Sequence, residues 1–262
     1  MRKPATVGPN PDSQRLLQSA VARSARTAGV QLPVGFVRRD PYGTAKPPLA
    51  RMLQGGRGGE VRLKLYLSQM LVATAAPYGI SPSVPARAWA EMVGLPDPAG
   101  NGARRISDAV GWLSDNNFIR VQRQPGTPPH VVLKSPLGDG KKYERPRSPY
   151  VTLPVSFWWS QWITALSGAG TALLIVLLDL QGGQDDPDHA RSLPGEKRAR
   201  YGLSDDTWTR ASAELSRHGI LKVKRVIEGS DLGWRRRRNT YWVDKQRMKD
   251  EPDPAILRAL YG

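Results

Sequence analysis

Apolar residues follow helical spacing and then strand alternation, in an order typical of a small mixed unit. The helical period that starts at Glu60 runs through Leu63 and Leu67 and ends before Pro77. Two shorter helices follow, and then two alternating stretches are separated by the turn PGTPP. In chain order, the predicted helices and strands cover 60–76, 85–95, 103–116, 118–124 and 130–134.

The same order of elements returns in the second half of the chain. A strand and turn at 150–158 precede a strongly apolar helix, two further helices and two strands. Ser204 suits the N-cap of the last helix, and Asp205 and Asp206 suit its first turn. The remaining elements are predicted at 170–181, 195–203, 204–219, 220–226 and 237–243, with a long turn at 227–236.

The two series align residue by residue. LSDNNFIRVQR at 113–123 lies over LSRHGILKVKR at 215–225, with Asn117 in place of Gly219. Asparagine tolerates the left-handed conformation that such a helix end needs. Any junction of helix and strand can produce a short match, but the agreement extends over six elements and favours an internal repeat.

Outside the two series, the composition predicts less order. Residues 1–58 are rich in Pro, Gly and basic residues, so we expect a basic, largely disordered segment with at most a short helix at 15–25. LQGGRGGE at 53–60 indicates a hinge; a phosphate-binding loop is the alternative, but it lacks a preceding strand and a following Gly-Lys-Ser. We expect a basic linker at 136–149 and a tail or short helix at 245–262.

Charge narrows the possible partners. The chain has 39 Lys and Arg against 23 Asp and Glu, a formal charge of +16, which favours nucleic acid or an anionic membrane surface. The longest apolar run, ALLIVLLDL, is too short to span a bilayer, so no membrane partner is expected. Cysteine is absent, which excludes disulfides and thiolate metal sites and is compatible with the cytoplasm.

The stretch YGLSDDTWTRASAELSRHGILKVKR, at 201–225, resembles the winged helix-turn-helix superfamily. The first series is similar but has the longer turn LPDPAGNG. The resemblance implies a mainly α chain with small β-wings (α+β), in which two consecutive winged-helix domains cover 59–135 and 150–244. The paired layout is similar to that of two-winged-helix regulators and of plasmid replication initiators. The sequence resembles those of actinobacterial proteins.

The resemblance also implies where DNA would be contacted, because the third helix of such a unit enters the major groove. Asp108 could accept a hydrogen bond from cytosine or hold an arginine. The third helix of the second unit is less basic, so it would lie less deeply in the major groove or have another role. The expected base-contacting residues are Asn101, Arg104, Arg105 and Asp108 in the first unit and Thr207, Thr209 and Arg210 in the second.

Four consecutive arginines, Arg235, Arg236, Arg237 and Arg238, fall in the hairpin that the resemblance identifies as the second wing. Phosphates would relieve their mutual repulsion, and counterion release would favour binding. A disordered basic patch or a localisation signal is the alternative. Lys141 and Lys142 in the linker would contact the DNA backbone.

The residue types do not form a recognisable catalytic set, so we expect neither an enzyme nor a cofactor. DDPDHA, at 185–190, resembles a metal site, but a solvated loop is the simpler interpretation. The expected partner is double-stranded DNA in the cytoplasm, with a second copy of the chain or other replication or transcription proteins as further partners. The favoured function is a sequence-specific transcriptional regulator. The alternatives are a replication initiator that binds origin repeats and a module for protein contacts.

Overall fold

The computed structural model describes residues 11–55, 58–229 and 235–261. With 47% of residues in helices and 16% in strands, the chain is mixed α+β with small antiparallel sheets, as the sequence predicts. The helices are α1 (Pro11–Ser24), α2 (Val34–Val37), α3 (Pro48–Leu53), α4 (Gly58–Val72), α5 (Ala86–Met92), α6 (Asn101–Asp115), α7 (Ser156–Trp159), α8 (Trp162–Ala165), α9 (Gly168–Gln181), α10 (Gly195–Ala199), α11 (Asp205–Arg217) and α12 (Pro254–Tyr261).

The strands are short except for the last two. Two short 3-10 turns, Pro187–His189 and Arg247–Lys249, complete the secondary structure of the described residues. The strands are β1 (Gly29–Pro33), β2 (Ile119–Gln122), β3 (His130–Leu133), β4 (Tyr150–Pro154), β5 (Arg191–Ser192), β6 (Leu221–Gly229) and β7 (Arg235–Val243).

Two sections of the chain share one arrangement. In the first unit, α4, α5 and α6 precede the β2–β3 hairpin, and a bridge from Gly79 to Val132 adds a third extended segment beside β3. In the second unit, α9, α10 and α11 precede the β6–β7 hairpin, and β5 pairs with β7 to give the order β5-β7-β6. In both units, the segment between the first two helices pairs with the last strand.

The end of the third helix confirms the alignment of the two units. Asn117 and Gly219, which are 102 positions apart, both have left-handed backbones, with φ of 65° and 72°. The next amide donates back into the helix in each unit: Phe118 N to Leu113 O at 2.9 Å, and Ile220 N to Leu215 O at 3.0 Å. The sequence match therefore corresponds to an equivalent backbone in both units.

The N-terminal segment is folded where the structure describes it, which contradicts the disorder that its composition predicts. Leu17 of α1 and Phe36 of α2 are fully buried. Helix α1 packs against α4 and α5 of the first unit and against α7, which precedes the second. Strand β1 pairs with β4 in antiparallel register. The segment lacks a core of its own, but it completes the core between the two units, which average composition does not reveal.

A single hydrophobic core runs through both units and the N-terminal segment. Helices α4 and α9 pack against each other, and both are buried on nearly all sides. The expected linker at 136–149 also folds back on the first unit. The backbones of Lys134 and Lys142 form an isolated antiparallel β-bridge, and Tyr143 is buried. After β7, the chain adds the buried Met248 and Leu257, and the latter lies in α12.

Candidate nucleic-acid interface

Helix α6 presents a polar face because its apolar residues are spaced to bury the opposite face. Ile106, Ala109 and Leu113 are buried. The start of the helix is held by Asp97, whose carboxylate accepts from the backbone N–H groups of Gly100 at 3.2 Å and Asn101 at 2.7 Å. This cap lies in the longer turn of the first unit and positions the polar face.

The residues predicted to contact bases in α6 lie on that face. Asn101, Arg104 and Asp108 are exposed, and Arg105 is half-buried. Among the described residues, no carboxylate lies within ion-pair distance of Arg104 or Arg105, and Asp108 does not hold an arginine. Arg104 and Arg105 thus lack an ion-pair partner among the described residues, although the Arg105 charge helps to lower the pKa of Glu60.

Helix α11 begins as the sequence predicts. The Ser204 hydroxyl accepts from the Thr207 N–H at 3.2 Å, and Trp208 is buried. The Thr209 hydroxyl donates to the Asp205 carbonyl at 2.9 Å, so it is partly occupied by the helix itself. The hydroxyls of Ser204 and Thr207 also lie 2.8 Å apart.

The acidic start of α11 is largely compensated. Asp205 pairs with Arg198 of α10 at 2.8 Å, and Asp206 pairs with Arg210 one turn further along α11. The Arg198 guanidinium also stacks 4.6 Å from the ring centre of Trp208. Sequence reasoning missed Arg198, because its partners lie on the next helix. The two carboxylates therefore oppose a phosphate backbone less than their number indicates.

Arg105 of α6 and the polar face of α11 line one groove of about 820 Å³, and the other predicted α6 residues lie outside it. Its floor contains the N-terminus of α9 and Glu60 of α4. The structure thus brings Arg105 together with the predicted second-unit residues of α11. The groove-lining members of the predicted set are Arg105, Thr207, Thr209 and Arg210, joined by Arg217.

The two carboxylates at the groove floor are already engaged. Glu214 accepts from the Ser167 N–H at 2.6 Å and from the Ser167 hydroxyl at 2.5 Å. Burial by itself would raise the pKa of Glu60, but the Lys64 ammonium at 2.7 Å and the Gly168 N–H lower that pKa below its usual value. Both floor carboxylates are thus satisfied within the protein, and of the groove arginines Arg210 is paired with Asp206, whereas Arg217 has no described ion pair.

The β6–β7 hairpin carries all four arginines in paired strand. The sequence predicts this for Arg237 and Arg238, but it places Arg235 and Arg236 in the long turn at 227–236. The register places Arg235 opposite Gly229, Arg236 opposite Glu228, Arg237 opposite Ile227 and Arg238 opposite Val226. Arg237 is exposed and Arg238 half-exposed, whereas the side chains of Arg235 and Arg236 lie outside the described residues. The turn at 230–234 also lies outside them.

The described side chains at the arginine end of the hairpin are mostly exposed. Tyr241 of β7 packs on Trp208 in the first turns of α11, with ring centroids 5.9 Å apart. The six residues of β7 before Tyr241 extend up to about 20 Å beyond this contact, at roughly 3.3 Å per residue. Facing them on β6, Lys224 and Arg225 are exposed and Ile227 is 63% exposed. The outer half of the hairpin is a basic, exposed ribbon.

Lys141 and Lys142 do not lie near the other residues that are predicted to contact DNA. Both are exposed, and Lys141 pairs with Asp139 at 3.5 Å. Gly140 lies beside Asn117, which follows the C-terminal end of α6. Since α6 has 15 residues, it separates the two lysines from Asn101 and Arg104 by about 20 Å. These two lysines lie at the far end of the helix from the base-contacting set.

Within the described ranges, no group of three or more His, Cys, Asp or Glu side chains is arranged to hold a metal ion. None of the described helices combines the length and apolar character needed to cross a membrane. Comparison with protein-family models, with curated proteins and with solved structures finds no match to this chain.

Proposed function

We propose that this chain binds double-stranded DNA through two winged helix-turn-helix units and acts as a sequence-specific transcriptional regulator in the cytoplasm. One observation carries the proposal: Arg105 of α6 lies in a common groove with the polar face of α11, and α11 is followed by a long basic hairpin. A third helix followed by a two-stranded hairpin is the arrangement that enters a major groove and reaches the adjacent backbone.

The chemistry of the two parts suits different tasks. Arg104 and Arg105 have free guanidinium groups at the start of a helix, and such groups read guanine by two parallel hydrogen bonds. The arginines of β7 are placed along an extended ribbon, where they suit phosphates or a narrow minor groove. With a formal charge of +16, the chain as a whole attracts a polyanion.

The test is selection of preferred duplexes from a random library by the full chain, followed by binding measurements at salt concentrations from about 50 to about 300 mM. We expect one enriched motif, with an affinity that falls steeply as salt rises, because counterions are released on binding. An unenriched library, or an affinity independent of salt, would contradict the proposal.

A replication initiator could use the same proposed interface, and the asymmetry of the two units applies to both functions. The reading faces of the two units are unequal, so a single chain would read an asymmetric site. The arrangement of selected sites beside the gene distinguishes the two roles. Direct repeats in an AT-rich region favour the initiator, and an inverted repeat within a promoter favours the regulator.

A further inference from the structure

A second cavity, of about 740 Å³, lies at the C-terminal end of α9. It is enclosed by α2 of the N-terminal segment, by β4 and β5, and by α10. The groove between α6 and α11 borders the other end of α9, and the 14 residues of that helix place the two sites about 20 Å apart. The cavity is the size of a small-molecule site and lies away from the proposed DNA surface.

The charges that line this cavity are strongly unequal. One carboxylate, Asp179, faces five cationic side chains. Asp179 is already committed, because it accepts from the Tyr201 hydroxyl at 2.7 Å and pairs with Arg38 at 3.2 Å. Burial and the adjacent Asp179 raise the pKa of Tyr201, so its hydroxyl remains a donor. The cations are Arg38, Arg191, Lys197, Arg200 and Lys245.

Three of these cations have no carboxylate partner among the described residues. Arg191 donates to the Leu180 carbonyl at 3.3 Å, and Arg200 donates twice to the Arg39 carbonyl, at 3.2 and 3.1 Å. Lys197 is exposed and forms no described ion pair. Hydrogen bonds to carbonyl groups fix the guanidinium positions but leave their charge uncompensated. The cavity therefore concentrates positive charge around a concave space.

The rest of the lining suits the body of an organic ligand. Val34 and Leu193 contribute apolar surface, and Tyr150, which is 42% exposed, offers an aromatic ring. Guanidinium groups match phosphate oxygens in a two-pronged geometry. We propose that this cavity binds a phosphorylated small molecule of nucleotide size, which bridges the N-terminal segment and α10, the helix before α11. The proposal does not depend on DNA binding.

The test is isothermal titration of the full chain with ATP, inorganic pyrophosphate and adenosine. We expect ATP and pyrophosphate to bind one per chain and adenosine, which lacks phosphate, not to bind. The variant Lys197→Glu combined with Arg191→Gln should weaken ATP binding at least about tenfold, because two phosphate partners are removed. Arg258→Glu, an exposed change outside the cavity, should leave ATP binding within about twofold of the original chain, as expected for a distant charge.

Several outcomes would overturn the assignment. No saturable binding of ATP or pyrophosphate, or equal weakening by Arg258→Glu, would show that the cavity does not select phosphate. Competition with duplex DNA gives a separate readout. If duplex displaces ATP and the cavity variant loses duplex affinity far more than Arg258→Glu does, the cavity belongs to the DNA surface. Circular dichroism of each variant verifies the fold, and Lys197→Glu alone serves if Arg191→Gln perturbs β5.

Discussion

The two units share a framework but present different chemistry to solvent. Both end the third helix in a left-handed residue, and both pair the early segment with the last strand. In the first unit, the helix carries unpaired arginines, and the hairpin strands are only four residues long. In the second unit, the helix begins with two paired aspartates, and the hairpin strands have nine residues each.

This contrast indicates a division of labour between the copies. Under the proposed function, base discrimination is assigned to α6, because its arginines have no ion-pair partner among the described residues. The same proposal assigns attachment to the DNA backbone to the long hairpin of the second unit, because contacts to phosphate position a protein without reading sequence. The buried residues of the two units give the same backbone arrangement, whereas the exposed residues differ between the units.

Replacing Arg235, Arg236, Arg237 and Arg238 together by Ala tests the backbone task and has the largest expected effect. If all four arginines bind phosphates, affinity at about 0.1 M salt falls about a thousandfold on every duplex, and the salt slope falls by about 0.9 for each phosphate that is no longer neutralised. Fluorescence anisotropy at several salt concentrations measures both quantities. Unchanged affinity and slope would remove the hairpin from the interface.

Leu17→Ala tests whether the N-terminal segment holds the two units as one body. The fully buried side chain lies in α1, which contacts elements on both sides, so its removal leaves a cavity in the common core. We expect the free energy of unfolding to fall by about 2–5 kcal/mol in urea titration. The exposed Ser19→Ala in the same helix is the matched control, and equal midpoints for the two variants would contradict the shared core.

Arg105→Ala and Thr207→Ala compare equivalent positions, since the two residues are 102 positions apart. Arg105→Ala should cost about 1–3 kcal/mol on the selected site and relax base choice there. Thr207→Ala should change binding less, because that hydroxyl already contacts Ser204. Arg104→Ala is expected to behave like Arg105→Ala. Equal reductions in affinity on selected and random duplexes would make the arginines phosphate contacts instead.

The smallest effect is expected at the helix ends. Gly219→Ala places a Cβ at positive φ, at a cost of about 1–2 kcal/mol of unfolding free energy. Asn117→Ala keeps the Cβ that is already at positive φ and removes the amide that makes asparagine tolerant of this conformation, so it should cost less. Gly219→Asn, which copies the first unit into the second, should cost less than Gly219→Ala. The reverse ranking in thermal or urea unfolding would show that the two ends are not equivalent.

Local patterns predict the parts of the fold that depend on neighbouring residues. The helix spacing of Ile106 and Leu113 and the Ser204 cap both appear in the structure. Sequence reasoning fails where a short segment gains its stability from distant partners. Strand β1 pairs with β4 more than a hundred residues later, so no local pattern of apolar residues predicts this pairing.

The candidate site is predictable only in its components. The outward direction of Arg104 and Asp108 follows from helix periodicity. The meeting of α6 and α11 at one groove follows from the packing of α4 on α9, which is a long-range contact. The compensation of Asp205 by Arg198 and the separation of Lys141 from the helix start also depend on tertiary structure.

The packing of α4 on α9 has a consequence for the spacing of any recognised sequence. Because one core joins the two copies, their reading helices keep a constant mutual orientation. One base pair inserted between the two contacted segments turns one segment relative to the other by about 35°, since a helical turn holds about 10–10.5 base pairs. A chain with a flexible tether would follow such a change, whereas this chain, if it binds as proposed, would lose one contact or deform the duplex.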